Sequence, residues 1–334
     1  MKKIISLLLV VLLAAVVFTG CAPKAADPAT VKVKTGFATI TSIAKSKDAG
    51  EADGLAQEDT MMDVVTVGTD GKIIDSKIDA AKEKANFNSK GEVTTALDTV
   101  FKTKNEMGTG YGMKGSSSIG KEWNEQAEGF AQYVIGKTLD EVKGIAVDEA
   151  GYAADSDLKA KITVHIGDFI NVVAKAVESA KELGATAADK VSLGTATNIA
   201  KSKNAGEEDG QIQVYSTYAA LTKDGVGKIT SCIIDASQSN IKFDATGKIT
   251  NDITAAVASK NELGENYGMK KASAIGKEWN EQAAAFANYV KGKTASEVAG
   301  IAVDEEGLAS DTDLRASVTV HIGDFQAAIA KALA

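Results

Sequence analysis

One stretch of this chain is written twice. Gly112-Met113-Lys114-Gly115-Ser116-Ser117-Ser118-Ile119-Gly120-Lys121-Glu122-Trp123-Asn124-Glu125-Gln126-Ala127 returns as Gly268 to Ala283 with only three positions changed. At the same offset, Ala44-Lys45-Ser46-Lys47 maps onto Ala200-Lys201-Ser202-Lys203, and Thr163-Val164-His165-Ile166-Gly167-Asp168-Phe169 maps onto Thr319 to Phe325. Whatever fold one copy adopts the other must adopt too, so the chain is expected to hold two versions of one domain. Each copy, at about 150 residues, is long enough to bury its own core. Two independently folding units are therefore predicted, residues 35–178 and 191–334, joined by a polar, alanine-rich linker at 179–190.

The chain starts with Lys2 and Lys3, runs apolar from Ile4 to Phe18, and then reaches Thr19-Gly20-Cys21. A basic start, a short apolar run and a small-residue site describe a signal peptide over residues 1–20. The run is shorter than the roughly 20 residues that a membrane span needs. Phe18-Thr19-Gly20-Cys21 resembles the bacterial lipobox, whose cysteine becomes the lipidated first residue of the mature chain. That resemblance implies a diacylglyceryl group on Cys21 and a place on the extracytoplasmic face of the cell membrane. Two acyl chains, at ~0.8 kcal/mol per buried methylene, make a stable anchor where one would be marginal. Residues 21–34 hold both prolines, Pro23 and Pro28, and read as a spacer between lipid and first copy.

Acidic residues outnumber basic ones and the formal net charge is −8, which disfavours nucleic acid as a partner. The charge is spread along the chain, a pattern that serves solubility. With Cys21 acylated, Cys232 is the only other cysteine, so no disulfide can form within the chain. Its counterpart in the first copy is Ser76, which excludes a catalytic thiol common to both copies and leaves a buried strand residue.

Within one copy, Thr35 to Ile43 is rich in β-branched residues and predicts a first strand. Asp63 to Asp79 alternates and pivots on Asp70-Gly71, a strong hairpin signal. A short helix is expected around Thr94 to Phe101. From Gly120 onward, Trp123, Ala127, Phe130, Ala131 and Val134 fall on one helical face that Gly136 ends. Thr138 and Glu141, like Thr294 and Glu297, have capping-box spacing. The last segment is read as extended up to about Ile166 and helical from there. The fold class is α+β: two tandem copies of a small antiparallel sheet packed against amphipathic helices.

Chemistry has few places to reside. His165 and His321 lack a second ligand nearby for a transition metal, and Lys47 to Gly54 lacks the ligand spacing of a calcium loop. Ser117, His165 and Asp168 recur without a nucleophile-elbow pattern. The stretch from Tyr111 to Gln126 combines a loop of small residues, a helix start able to receive an anion, lysines, two aromatic rings and an amide. Tyr111, Lys114, Ser117, Trp123 and Gln126, with Tyr267, Lys270, Ser273, Trp279 and Gln282, are thus candidates to hold a cofactor or ligand. Equally, Trp123 is core and the loop docks its helix.

The order of lipobox, spacer, tandem copies, hairpin, Tyr-Gly-Met-Lys and Ile-Gly-Lys-Glu-Trp-Asn-Glu-Gln resembles the Gram-positive flavin lipoproteins of extracellular electron transfer, relatives of FMN-binding-domain proteins. Members of that group carry FMN joined through its phosphate to a Thr in the pattern Asp-x-x-Ser/Thr-Gly/Ala-Ala-Thr. Asp157 to Thr163 and Asp313 to Thr319 keep the two ends of that pattern at its spacing, while the middle three positions depart in both copies. The resemblance implies two FMN groups, on Thr163 and Thr319, and a flavin transferase that attaches them. It also implies a membrane electron donor and an extracellular acceptor, and an electron-transfer protein without a turnover site of its own. Tyr111 and Trp123 would then contact the flavin ring. Two other readings stand beside this one: a non-catalytic surface lipoprotein that binds a ligand or partner, and a structural spacer.

Overall fold

The computed structural model describes residues 27–334, so the leader and Cys21 lie outside the described residues. The first copy runs β1 (Lys34–Ser42), β2 (Gly54–Val67), β3 (Ile73–Phe87), α1 (Lys104–Met107), α2 (Trp123–Val134), α3 (Leu139–Lys143), α4 (Ser156–Lys159) and α5 (Gly167–Ser179). The second repeats it as β4 (Lys190–Asn198), β5 (Gly210–Lys223), β6 (Ile229–Phe243), α6 (Lys260–Leu263), α7 (Trp279–Tyr289), α8 (Ala295–Ala299), α9 (Thr312–Arg315) and α10 (Gly323–Leu333). Each copy forms a three-stranded antiparallel sheet in chain order, covered on one face by its helices. The α+β class and its duplication are as the sequence predicts. No helix of the described residues is long and apolar enough to cross a membrane.

The β2–β3 hairpin closes at Gly68–Lys72, where Gly71 takes φ +78°, a left-handed conformation open to glycine at no steric cost. Helix α2 buries Trp123, Ala127, Phe130, Ala131 and Val134, the face read from periodicity. It lies on β3, while α5 crosses β1 and β2. The crossing is close: a Cβ on Gly36 would stand 2.0 Å from the carbonyl oxygen of Ala176, and one on Gly194 would stand 2.2 Å from that of Ala328.

The other face of each sheet meets the other sheet. Residues of β2 alternate: Val65 and Val67 join the core under the helices, whereas Ala56, Met62 and Val64 pack against residues of the second copy. One shared layer centres on Phe87 and Phe243, stacked with ring centroids 4.2 Å apart among Ile43, Ile199, Ile212 and Ile241. Another joins Phe37, Met62 and Val64 to Leu193 and Tyr218. Between these layers lies a polar belt of Glu58 and Glu83 from the first copy with Thr197, Ser216 and Ser237 from the second. The molecule is thus layered helices, sheet, sheet, helices.

Contacts across the join come in reciprocal pairs, the mark of an approximate two-fold relation. Ala49 N–H donates to Gly247 O at 2.8 Å, and Ala205 N–H to Gly91 O at 2.7 Å. Val93 N–H donates to Asn204 Oδ1 and Ile249 N–H to Asp48 Oδ1, at 2.9 and 2.8 Å. Lys331 pairs with Glu106 at 2.9 Å, and Lys175 pairs with Glu262. The acidic turns after β1 and β4 therefore serve as docking points between copies.

Four expectations are corrected. The separate units expected from length are joined, because each sheet has a second buried face that only its twin covers. Residues 179–190 do not act as a free tether: Lys181 pairs with Thr35 and Ala187 N–H bonds Val31 O at 2.9 Å, so the segment runs back along the end of the spacer. No helix forms over Thr94 to Phe101; the turn of helix is Lys104–Met107, started by a capping box between Thr103 and Glu106. Nor is the segment before Ile166 a strand. The Asp155 carboxylate accepts the Leu158 N–H at 2.9 Å and nucleates α4, after which the chain is irregular to Ile166. Leu158, Ile162 and Ile166 still point inward with Phe169 and Val173, so the stripe of apolar residues is real although the helix is interrupted.

Candidate functional site

Glu122 is the hinge of the best-repeated stretch. It is almost fully buried, and its carboxylate accepts from the Met113 N–H at 2.8 Å while it caps α2 in a reciprocal box with Glu125. The Tyr-Gly-Met loop is thereby tied to the helix start, and Glu278 does the same for Met269 at 2.8 Å. Local sequence signals this, because Glu122 and Glu125 have the i, i+3 spacing of a box, yet Glu is an uncommon cap and the reading passed over it.

From the first turn of α2, Gln126 reaches across to the joint before α5. Its buried amide oxygen accepts the Thr163 N–H at 2.8 Å and faces the Thr163 hydroxyl at 3.3 Å. Its Nε2 donates to Ser117 Oγ at 3.1 Å and to Lys121 O at 3.2 Å, and Ser117 Oγ stands 3.4 Å from Thr163 Oγ1. The second copy repeats this with Gln282, Thr319 and Ser273: 2.8 Å from the Thr319 N–H, 3.2 Å from its hydroxyl, and 3.1 Å from Nε2 to Ser273 Oγ. Three residues singled out in sequence, far apart in the chain, are brought together twice. Thr163 and Thr319 remain half-buried, and Lys114 and Lys270 stand exposed on the adjoining loop.

Trp123 and Trp279 are buried in the helix-side cores against Phe169 and Phe325, with ring centroids 5.7 Å apart in each copy. Each indole also lies under a lysine that sequence reading missed. Lys104 Nζ sits 4.6 Å from the Trp123 ring and 5.0 Å from Tyr111. In the second copy Lys260 is buried among Tyr215, Tyr267 and Trp279, at 4.5, 4.4 and 4.8 Å, and donates to the Tyr215 hydroxyl at 2.9 Å. Burial lowers its ammonium pKa to about 8. The first copy has Asp59 where Tyr215 stands, and there Lys45 pairs with it at 2.8 Å. The signal that marks these lysines is Thr103-Lys-Asn-Glu106, repeated as Ser259-Lys-Asn-Glu262, a capping-box pattern that fixes the lysine at the first helical position.

Asp157 and Asp313 are exposed in the first turns of α4 and α9 and stand outside the Ser–Gln–Thr clusters; the carboxylates that organise those turns are Asp155 and Asp311. His165 packs edge-on to Tyr152 at 4.4 Å, apart from Ser117. Among the described residues no group of three or more His, Cys, Asp or Glu is placed to hold a metal ion.

Set against models of protein families, characterised proteins and solved structures, the chain matches none of them.

Proposed function

We propose that this protein is a membrane-anchored, extracytoplasmic carrier of two FMN groups that relays electrons to acceptors outside the cell. The observation that supports it most directly is the twice-built cluster around Thr163 and Thr319. The backbone N–H of each threonine donates to the amide oxygen of Gln126 on α2 or Gln282 on α7, so its hydroxyl can enter an ester without releasing the joint. The neighbourhood suits a phosphate: Lys114 and Lys121 belong to the loop that supplies Ser117, and α5 begins with no side chain capping its N–H groups. Bound flavin would supply the redox chemistry, and the chain's part would be to orient it and tune its potential. Trp123 is committed to the core, so the partly exposed Tyr111 is the ring available to it in the first copy.

The test is an intact mass and a visible spectrum of the chain from Ala22 onward, co-expressed with a flavin transferase. The expected result is a band near about 450 nm that survives denaturation, with a mass excess of two FMN groups that vanishes in Thr163→Ala/Thr319→Ala. Colourless protein that takes up no added FMN would overturn the proposal and leave a ligand- or partner-binding lipoprotein.

A further inference from the structure

The two sheets start at the same end of the molecule. Near the start of β1, Thr35 Oγ1 meets Ser231 Oγ near the start of β6 at 2.8 Å, and the Val191 N–H of β4 reaches Asp75 Oδ2 of β3 at 3.3 Å. The hairpin turns 68–72 and 224–228 therefore project from one end, and so do the loops after α2 and α7, since Gly136 N–H bonds Ile73 O and Gly292 N–H bonds Ile229 O. At the opposite end the turns are engaged in joining the copies, through Ala49 with Gly247 and Ala205 with Gly91. Among the described residues, the turns 68–72 and 224–228 hydrogen-bond only within themselves. Val226 stands exposed at the tip of one of them, where the first copy has Asp70.

The chain also enters at this end. Val33 N–H bonds Ala185 O at 3.1 Å just before β1 begins, and only residues 22–26 lie between Cys21 and Asp27. A fully extended chain spans at most about 3.6 Å per residue, so an acylated Cys21 holds Asp27 within about 20 Å of the lipid. The side chains of this end suit such a surface. Lys34, Lys72, Lys190 and Lys228 stand exposed and can meet lipid phosphates, while Asp70 in its turn and Glu141 behind it can meet lipid amines. In the last turns of α2 and α7, Tyr133 and Tyr289 each lie under a lysine, Lys137 at 4.4 Å and Lys293 at 4.6 Å, and such amphipathic side chains gather at membrane–water interfaces.

We propose that this end of the molecule rests on the phospholipid headgroups of the membrane that holds Cys21, with Val226 entering the interface. The proposal rests on the lipid anchor of the proposed function and not on flavin. Gln126 stands about 15 Å of helix before Gly136, so this posture holds the threonine clusters clear of the bilayer. The test uses the full chain, processed in a bacterial host and reconstituted into vesicles of phosphatidylethanolamine and phosphatidylglycerol. A nitrobenzoxadiazole dye is placed by Val226→Cys, Thr69→Cys, Val100→Cys or Ala245→Cys, one at a time, each at an exposed position; Cys232 is buried, so labelling of the folded protein spares it. At positions 226 and 69 the emission is expected to shift to the blue and to fall at least about twofold with nitroxide-headgroup lipid, while at 100 and 245 it is unmoved. Quenching at 226 no greater than at 245, on protein that floats with the vesicles, overturns the proposal and leaves the anchor standing. Protein that does not float, or that lacks the acyl mass on Cys21, overturns both.

Discussion

Between pH 5 and pH 8 this protein is expected to lose stability. Burial without a compensating cation pushes Glu58 up to about 7 and Asp63 up to about 8, and burial likewise raises Asp79 and Asp235 to about 6. Glu83 is held well above the carboxylate range by burial and then by the charge of Glu58, its directly opposed partner on the neighbouring strand. Two carboxylates facing each other in a dry interface cannot both ionise at low cost. A group whose folded-state pKa is raised stabilises fully below its unfolded value and loses that contribution as pH climbs through the folded one. For Glu58 this amounts to about 3 kcal/mol. For the set, a loss on the order of 10 kcal/mol between pH 5 and pH 8 would lower the melting temperature by on the order of 15 °C.

Other groups bound this window. The partly exposed Asp244 and Asp304 and the exposed Glu297 are lowered by backbone N–H donors, so they stabilise above the carboxylate range and lose that only in acid. Lys260, lowered by burial, adds stability only as pH rises past about 8. Melting curves taken from pH 4 to pH 9 should therefore peak near pH 5. Glu58→Gln/Glu83→Gln should flatten the decline and melt higher than the parent at pH 8. A parent protein that gains stability from pH 5 to pH 8 would refute this account of the belt.

Phe87→Ala and Phe243→Ala are each expected to cost about 3–5 kcal/mol, the range for deleting a buried phenyl ring. Both rings are fully buried, and each lies over a glycine: a Cβ on Gly54 would come within 2.5 Å of the Phe87 ring, and one on Gly210 within 2.5 Å of Phe243. Because the rings stack on one another, the double variant should cost less than the sum of the single ones. Val100 and Val226 are 80% and 77% exposed, and truncating them should change stability by less than about 0.5 kcal/mol. Urea unfolding measures all of these. A loss below about 1 kcal/mol at Phe87 would mean that the shared layer is not a core.

How far the sequence speaks depends on where each partner lies. Helix α2 was legible because its apolar stripe and its Gly136 stop are both local. So was the β2–β3 hairpin, because Asp70-Gly71 dictates a turn whatever surrounds it. The sheet-on-sheet join was not, since its partners come from the other copy, although Met61-Met62-Asp63-Val64-Val65-Thr66-Val67 carried a usable hint. A strand with one wet face alternates, and that near-continuous run fits a strand buried on both. In the candidate site, repetition marked Ser117, Gln126 and Thr163 without showing that they touch. Lys104 and Lys260 escaped notice because a lysine in a helix start reads as solvent-facing until three-dimensional packing lays aromatic rings around it.

Central to this account is a single body made from two copies, and differential scanning calorimetry of the chain from Ala22 onward tests it most directly. At pH 5 one transition is expected, with calorimetric and van't Hoff enthalpies in agreement. Two resolved transitions, or a calorimetric enthalpy about twice the van't Hoff value, would contradict it and restore two domains that fold alone.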